Sequence, residues 1–188
     1  MERKVRDSKI AQKIGDIVEK DPDIAAKVAE DLEDREAKIY AMMVLYNFSG
    51  DKKFLEKALS IAETDEDHLR IIEYSENPLA VAEVAKKIDD PYRKDVAYSI
   101  LLERTGDLNF SLKILSPRIL SAALKRLAGR KPYPENLNIA RMIPDPYYRS
   151  LALIEIASRY GVELSSEIKG SIDAVKNPSL RRRLIEKY

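Results

Sequence analysis

The sequence predicts an all-α chain of stacked helix pairs. Two observations carry this: one stretch is spelled almost twice, and no segment alternates convincingly as a strand. Laid without gaps, residues 84–106 and 139–161 agree at Ala85/Ala140, Ile88/Ile143, Asp90/Asp145, Pro91/Pro146, Tyr92/Tyr147, Ala97/Ala152, Arg104/Arg159 and Gly106/Gly161. A third copy at 28–50 shares Val28, Ala29, Asp34, Lys38, Ala41, Leu45 and Gly50 with the middle one. Self-similarity at a fixed period marks chains built by repetition.

The recurring residues spell a start, a seam and a stop. Asp90-Pro91 and Asp145-Pro146 read as helix N-termini: the carboxylate accepts from orphan N–H groups, and Pro needs none at the first position. Four residues after each Asp comes Lys38, Lys94 or Arg149, at the spacing where two side chains on one helix meet. Ala41, Ala97 and Ala152 are small enough to let a neighbouring helix approach. Gly50, Gly106 and Gly161 fall where a helix takes a left-handed terminator.

Weaker starts appear at Ser116-Pro117, at Asn177-Pro178 and, more poorly, near Thr64 and Asp65. Together they set an interval of about 29 residues, room for two short helices and two turns. The helices between the starts read as "DIAAKVAEDL", "KKFLEKALSIA", "PLAVAEVAKKI", "FSLKIL", "ENLNIARMI" and "SSEIKGSIDAV". With a leading helix near residues 5–19, the count is about thirteen. The expected layout is a single domain over 1–188: an N-terminal capping helix in 1–20, helix pairs over 21–177, and a C-terminal capping helix in 178–188, with Leu180, Leu184 and Tyr188 on one side.

These alternating pairs resemble the α-helical repeat proteins, the HEAT, armadillo and tetratricopeptide class of α-solenoids. The resemblance covers roughly residues 20–188 and is one of architecture. It implies a right-handed α-α superhelix of about six helix pairs, and it carries over no functional residue. The tetratricopeptide pattern requires a Trp, and this chain has none; HEAT units run nearer 40 residues.

Composition narrows function further. The chain has 188 residues, no cysteine and one histidine, which removes disulfides, thiolate ligands and cysteine nucleophiles. No run of about 18 apolar residues appears, and the charged N-terminus lacks a signal peptide's apolar core, so a soluble cytoplasmic protein is expected, without a membrane role. Scarce Gln and dense mixed charge are thermophile-like.

The chemistry-bearing candidates are few. Thr64–Arg70, "TDEDHLR", holds the single histidine, yet reads as a helix start where acids cap and favour the dipole. No Gly-rich phosphate loop or nucleophile elbow is present. The reading is therefore not an enzyme, with no catalytic residues, metal or cofactor.

Charge points elsewhere. Residues 1–94 carry 17 basic and 22 acidic side chains, net −5; residues 95–188 carry 16 and 10, net +6. Arginine and tyrosine favour interface hot spots, and the partner-binding candidates are Tyr148, Arg149, Arg126, Arg130, Lys131, Arg181, Arg182 and Arg183. Tyr92 and Tyr147, at one recurring position, are expected to pack between helices, and Tyr148 to be exposed. Arg104, Arg130 and Arg159 suit helix C-termini, and the triplet at 181–183 suits capping and solubility. The expected function is a protein–protein scaffold. A weak, non-specific nucleic-acid contact through the basic half is the alternative, self-association stays open, and an enzyme with a site between helix pairs ranks last.

Overall fold

The computed structural model describes residues 2–188, and their side chains from Val5 onward. Among these residues there is no strand; there are twelve α-helices and two short 3-10 helices. The described chain separates into two compact units, one ending at Ala97 and one spanning Tyr98–Tyr188.

The first unit begins with α1 (Glu2–Gln12) and α2 (Ile14–Val18). The leading helix is thus interrupted at Lys13. Next come α3 (Pro22–Asp31), α4 (Arg35–Ser49), α5 (Lys52–Ile61) and α6 (Asp65–Tyr74), then a 3-10 turn at Ala82–Lys87. Long α4 is central: α1, α2, α3, α5 and α6 all pack on it. Its buried residues include Ile39, Ala41, Met42, Met43 and Leu45.

The boundary between units falls within α7 (Pro91–Thr105). The second unit continues with a 3-10 turn at Leu108–Lys113, then α8 (Pro117–Arg130), α9 (Glu135–Met142), α10 (Pro146–Tyr160), α11 (Ser165–Asp173) and α12 (Pro178–Lys187). Here α10 is central and touches α8, α9, α11 and α12.

The expected starts form. Asp34 accepts from the Ala37 N–H, Asp90 from Arg93, Ser116 from Ile119, Asp145 from Tyr147 and Tyr148, and Asn177 from Ser179 and Leu180. The poor start at Thr64 is a full capping box with Asp67, satisfying two orphan donors reciprocally. Gly50, Gly106 and Gly161 have φ of 69°, 72° and 64°, the left-handed region that a Cβ disfavours. Ala41, Ala97 and Ala152 are all buried.

Four expectations need correction. "PLAVAEVAKKI" and "FSLKIL" form short 3-10 turns rather than α-helices, a form common in such short connecting pieces. In two of the three copies the cation four residues after the cap reaches past its own Asp. Lys38 Nζ donates to the Glu30 carbonyl, ending α3, and Arg149 donates to the Ile143 carbonyl, ending α9. Tyr92 is 68% exposed and does not pack between helices, while Tyr147 is half-buried. On α12 only Leu184 is buried; Leu180 is half-buried and Tyr188 is exposed.

Candidate partner-binding surface

The polar side chains of both units are heavily engaged in tying each long helix to the next. One recurring tie is an acceptor that receives the backbone N–H groups of a later helix's entry turn. Asp7 on α1 accepts from Glu33 and Asp34, both at 2.9 Å. Asp65 on α6 accepts from Asp89 at 3.0 Å and Asp90 at 2.7 Å. In the second unit Ser121 on α8 accepts from Asp145 at 3.0 Å. Such bonds favour the ionised acid. Those from Asp34 and Glu33 hold Asp7 below the usual carboxylate range, and those from Asp89 and Asp90 do the same for Asp65. For Asp67, burial pushes upward, but bonds from the Glu63 N–H, the Thr64 hydroxyl and the Thr64 N–H outweigh it.

Ion pairs form a second set of ties. In the first unit Arg70 on α6 pairs with Glu36 on α4, and Arg35 pairs with Glu63 and Asp67. Arg93 reaches Glu66 at 3.2 Å, and Lys57 on α5 pairs with Glu30 on α3. In the second unit Lys125 faces Glu155 at 3.7 Å, and Arg141 on α9 grips Glu167 on α11 through two bonds of 3.0 and 2.7 Å.

The expected binding residues can be placed against this background. Arg126 holds Glu103 through its Nε at 2.7 Å and its Nη2, and that pairing raises its pKa. Arg130 donates to the Glu103 carbonyl, and Arg159 does the same to Gly129. Both neutralise the carbonyl end of a neighbouring helix, in addition to any effect on their own. Lys131 pairs with Glu135 at 2.9 Å. Arg149 also touches the Ser171 hydroxyl, and Arg181 donates to the Asp173 and Val175 carbonyls at the end of α11. Tyr148 is half-buried with its ring set edge-on to Tyr147 at 5.7 Å. Arg182 and Arg183 are exposed on α12. Arg126 and Arg130 share Glu103, while Arg149 and Arg181 hold the ends of α9 and α11. The structure binds Arg126, Arg130, Lys131, Arg149 and Arg181 into the fold.

What the second unit leaves in solvent is partly apolar. Leu112 is 82% and Leu115 81% exposed, and Tyr133, Met142, Tyr160, Ile185 and Tyr188 are also open. Tyr133 and Tyr160 stand side by side, with centroids 5.6 Å apart and planes tilted by 35°. Tyr133 and Tyr160 read in the sequence only as tyrosines interleaved with the basic residues of this half; their pairing was not legible, because one lies in the turn after α8 and the other is the last residue of α10. A groove of about 590 Å³ lies between α10, α11 and α12, bordered by Ile154, Ala157, Ile168 and Tyr188.

In the first unit, "TDEDHLR" caps as expected, and His68 is half-buried with Nδ1 lacking a hydrogen-bond partner. Among the described residues, no three His, Cys, Asp or Glu side chains converge on a metal-sized site, and no helix is long and apolar enough to cross a membrane. No family model, curated protein or solved structure matches the chain.

Proposed function

We propose that the chain is a short α-solenoid of about six helix pairs that binds another protein without catalysing a reaction. One observation carries this reading. In the second unit most of the expected cations are held by carboxylates and helix-end carbonyls, whereas the Tyr133–Tyr160 pair stands open. Exposed paired tyrosines fit a protein interface. Stacked helix pairs suit this use, because repetition extends one binding face.

A second reading rests on a different observation. The second unit carries a net charge of +7, from 16 basic and nine acidic residues, and keeps Arg182 and Arg183 exposed. That would support loose phosphate contact, falling steeply with salt.

Affinity capture with the wild-type chain and a Tyr133→Ala/Tyr160→Ala variant, with and without nuclease, separates the two. The expected result is a partner protein retained after nuclease and lost with the variant, while circular dichroism shows the variant folded. Retention unaffected by the variant, or recovery abolished by nuclease, would overturn the protein-binding reading.

A further inference from the structure

Asn136 lies in the first turn of α9 and is 1% exposed, yet neither its side-chain Oδ1 nor its Nδ2 has a hydrogen-bond partner within the protein. Its backbone N–H donates to the Pro132 carbonyl at 3.0 Å, so the residue is held in place by the helix entry. A buried amide left in this way is costly, and in folded proteins such groups are met by protein or by ordered water. The side chain borders a narrow space between α8, α9 and α10, with room for about 10 Å³ beside it. Gly129 and Ala152 give this space small walls, and Lys125, Glu155 and Arg159 line it with charged groups nearer the surface.

We propose that this space is a binding site for one internal water, held by the Asn136 amide and the Glu155 carboxylate. Size selects the ligand: a water needs about 10–15 Å³ of such room, so a single molecule fits and a larger ion or metabolite does not. Chemistry selects it as well. Oδ1 calls for a donor and Nδ2 for an acceptor, and water can serve as either. The charged groups of the wall do not answer those needs, because they face one another. Arg159 donates through Nη1 to the Gly129 carbonyl at 3.2 Å and through Nη2 to Glu155 Oε1 at 2.9 Å. Lys125 stands 3.7 Å from Glu155 Oε2, beyond hydrogen-bond reach, so that oxygen keeps lone pairs for a water. The helices do not close the gap at Gly129, where an added Cβ would meet Glu155 Oε1 only at 4.0 Å and no nearer side chain. One bond to the amide and one to the carboxylate give the two polar partners that an internal water requires. The water ties α9 to α10, as the Ser121 hydroxyl ties α8 to the entry of α10. This site stands independently of the protein-binding face of the second unit.

The test begins with the wild-type chain. Water-selective NMR follows magnetisation from the solvent signal to the Asn136 side-chain amide protons. A dipolar cross-peak is expected in both the laboratory and the rotating frame, with the signs of a water that tumbles with the protein. Oxygen-17 relaxation dispersion then counts such waters. Asn136→Leu keeps the branched shape and loses both polar atoms, so the count should fall by about one. A thermal melt shows whether this variant folds; if it does not, the wild-type cross-peak decides alone. No dipolar cross-peak, a cross-peak carrying only the sign of proton exchange, or an unaltered count in a folded Asn136→Leu chain would overturn the proposal.

Discussion

Ser121→Ala tests whether the ties between successive helices stabilise the fold. Ser121 is fully buried on α8. Its hydroxyl donates to the Pro117 carbonyl at 2.6 Å and accepts from the Asp145 N–H at 3.0 Å. Alanine keeps nearly the same volume and a better helix propensity, so packing and helix terms contribute little. What is lost is the acceptor for Asp145, the residue that caps α10. Its N–H, at a half-buried position, is then left facing a methyl group. A donor stranded in this way costs about 1–3 kcal/mol, and the gain in propensity offsets up to about 0.5 kcal/mol. The expected net loss is about 1–2 kcal/mol. For a chain of this length each kcal/mol lowers Tm by roughly 2–4 °C.

Two assays should agree. Thermal unfolding should fall by about 2–8 °C, and native-state hydrogen exchange should show the Asp145 amide losing protection. Ser166→Ala, at an exposed site on α11, serves as the control and should leave both unchanged. An unchanged Tm together with an Asp145 amide exchanging no faster would refute the tie.

Three further outcomes are expected. Ala152→Leu forces an isobutyl group into a seam where Ala152 is almost completely covered, and should destabilise by about 1–3 kcal/mol in urea; an unaltered midpoint would mean the seam has room. Gly106→Ala should cost about 1–2 kcal/mol, because φ of 72° is unfavourable for a residue with a Cβ, and a stability equal to wild type would show that the helix end relaxes. Asp7 and Asp65 are more acidic folded than unfolded, so the stabilisation they give is complete above the ordinary carboxylate range. It is lost as pH falls through their lowered folded values. Asp65→Asn should therefore flatten the fall in Tm below about pH 4, and acid profiles parallel to wild type would contradict this linkage.

Helix boundaries were legible wherever their chemistry is local. Ser116, Asp145 and Asn177 each precede a proline and cap the turn they begin, a relation complete within four residues. Gly50 and Gly161 close helices for a reason equally local, their φ. The segments at 82–87 and 108–113 were legible as helical turns but not in type. Over six residues, neighbouring packing decides between i→i−3 and i→i−4 bonding, and no side chain within the segment settles it.

The surface was harder to read, since its partners lie in other helices. Arg149 was visible as the residue four after Asp145, yet its contacts are the Ile143 carbonyl and Ser171, the latter 22 residues away. Arg93 and Tyr148 follow sister tyrosines, and that difference separates Tyr92 from Tyr147. The Tyr148 ring covers part of Tyr147, whereas the Arg93 guanidinium reaches away to Glu66, leaving Tyr92 in solvent. Net charge says little about placement for a related reason. It counts cations without asking which carbonyl or carboxylate each one faces. Arg126, Arg130, Arg149 and Arg181 add to the charge of the second unit while being anchored by Glu103, Ile143, Ser171, Asp173 and Val175. A phosphate recruiting them would have to break those bonds, and each broken bond would leave a carbonyl or carboxylate to be resolvated. The Tyr133–Tyr160 pair faces no such competition: a partner covering the rings displaces only water, and removing that water is what favours binding.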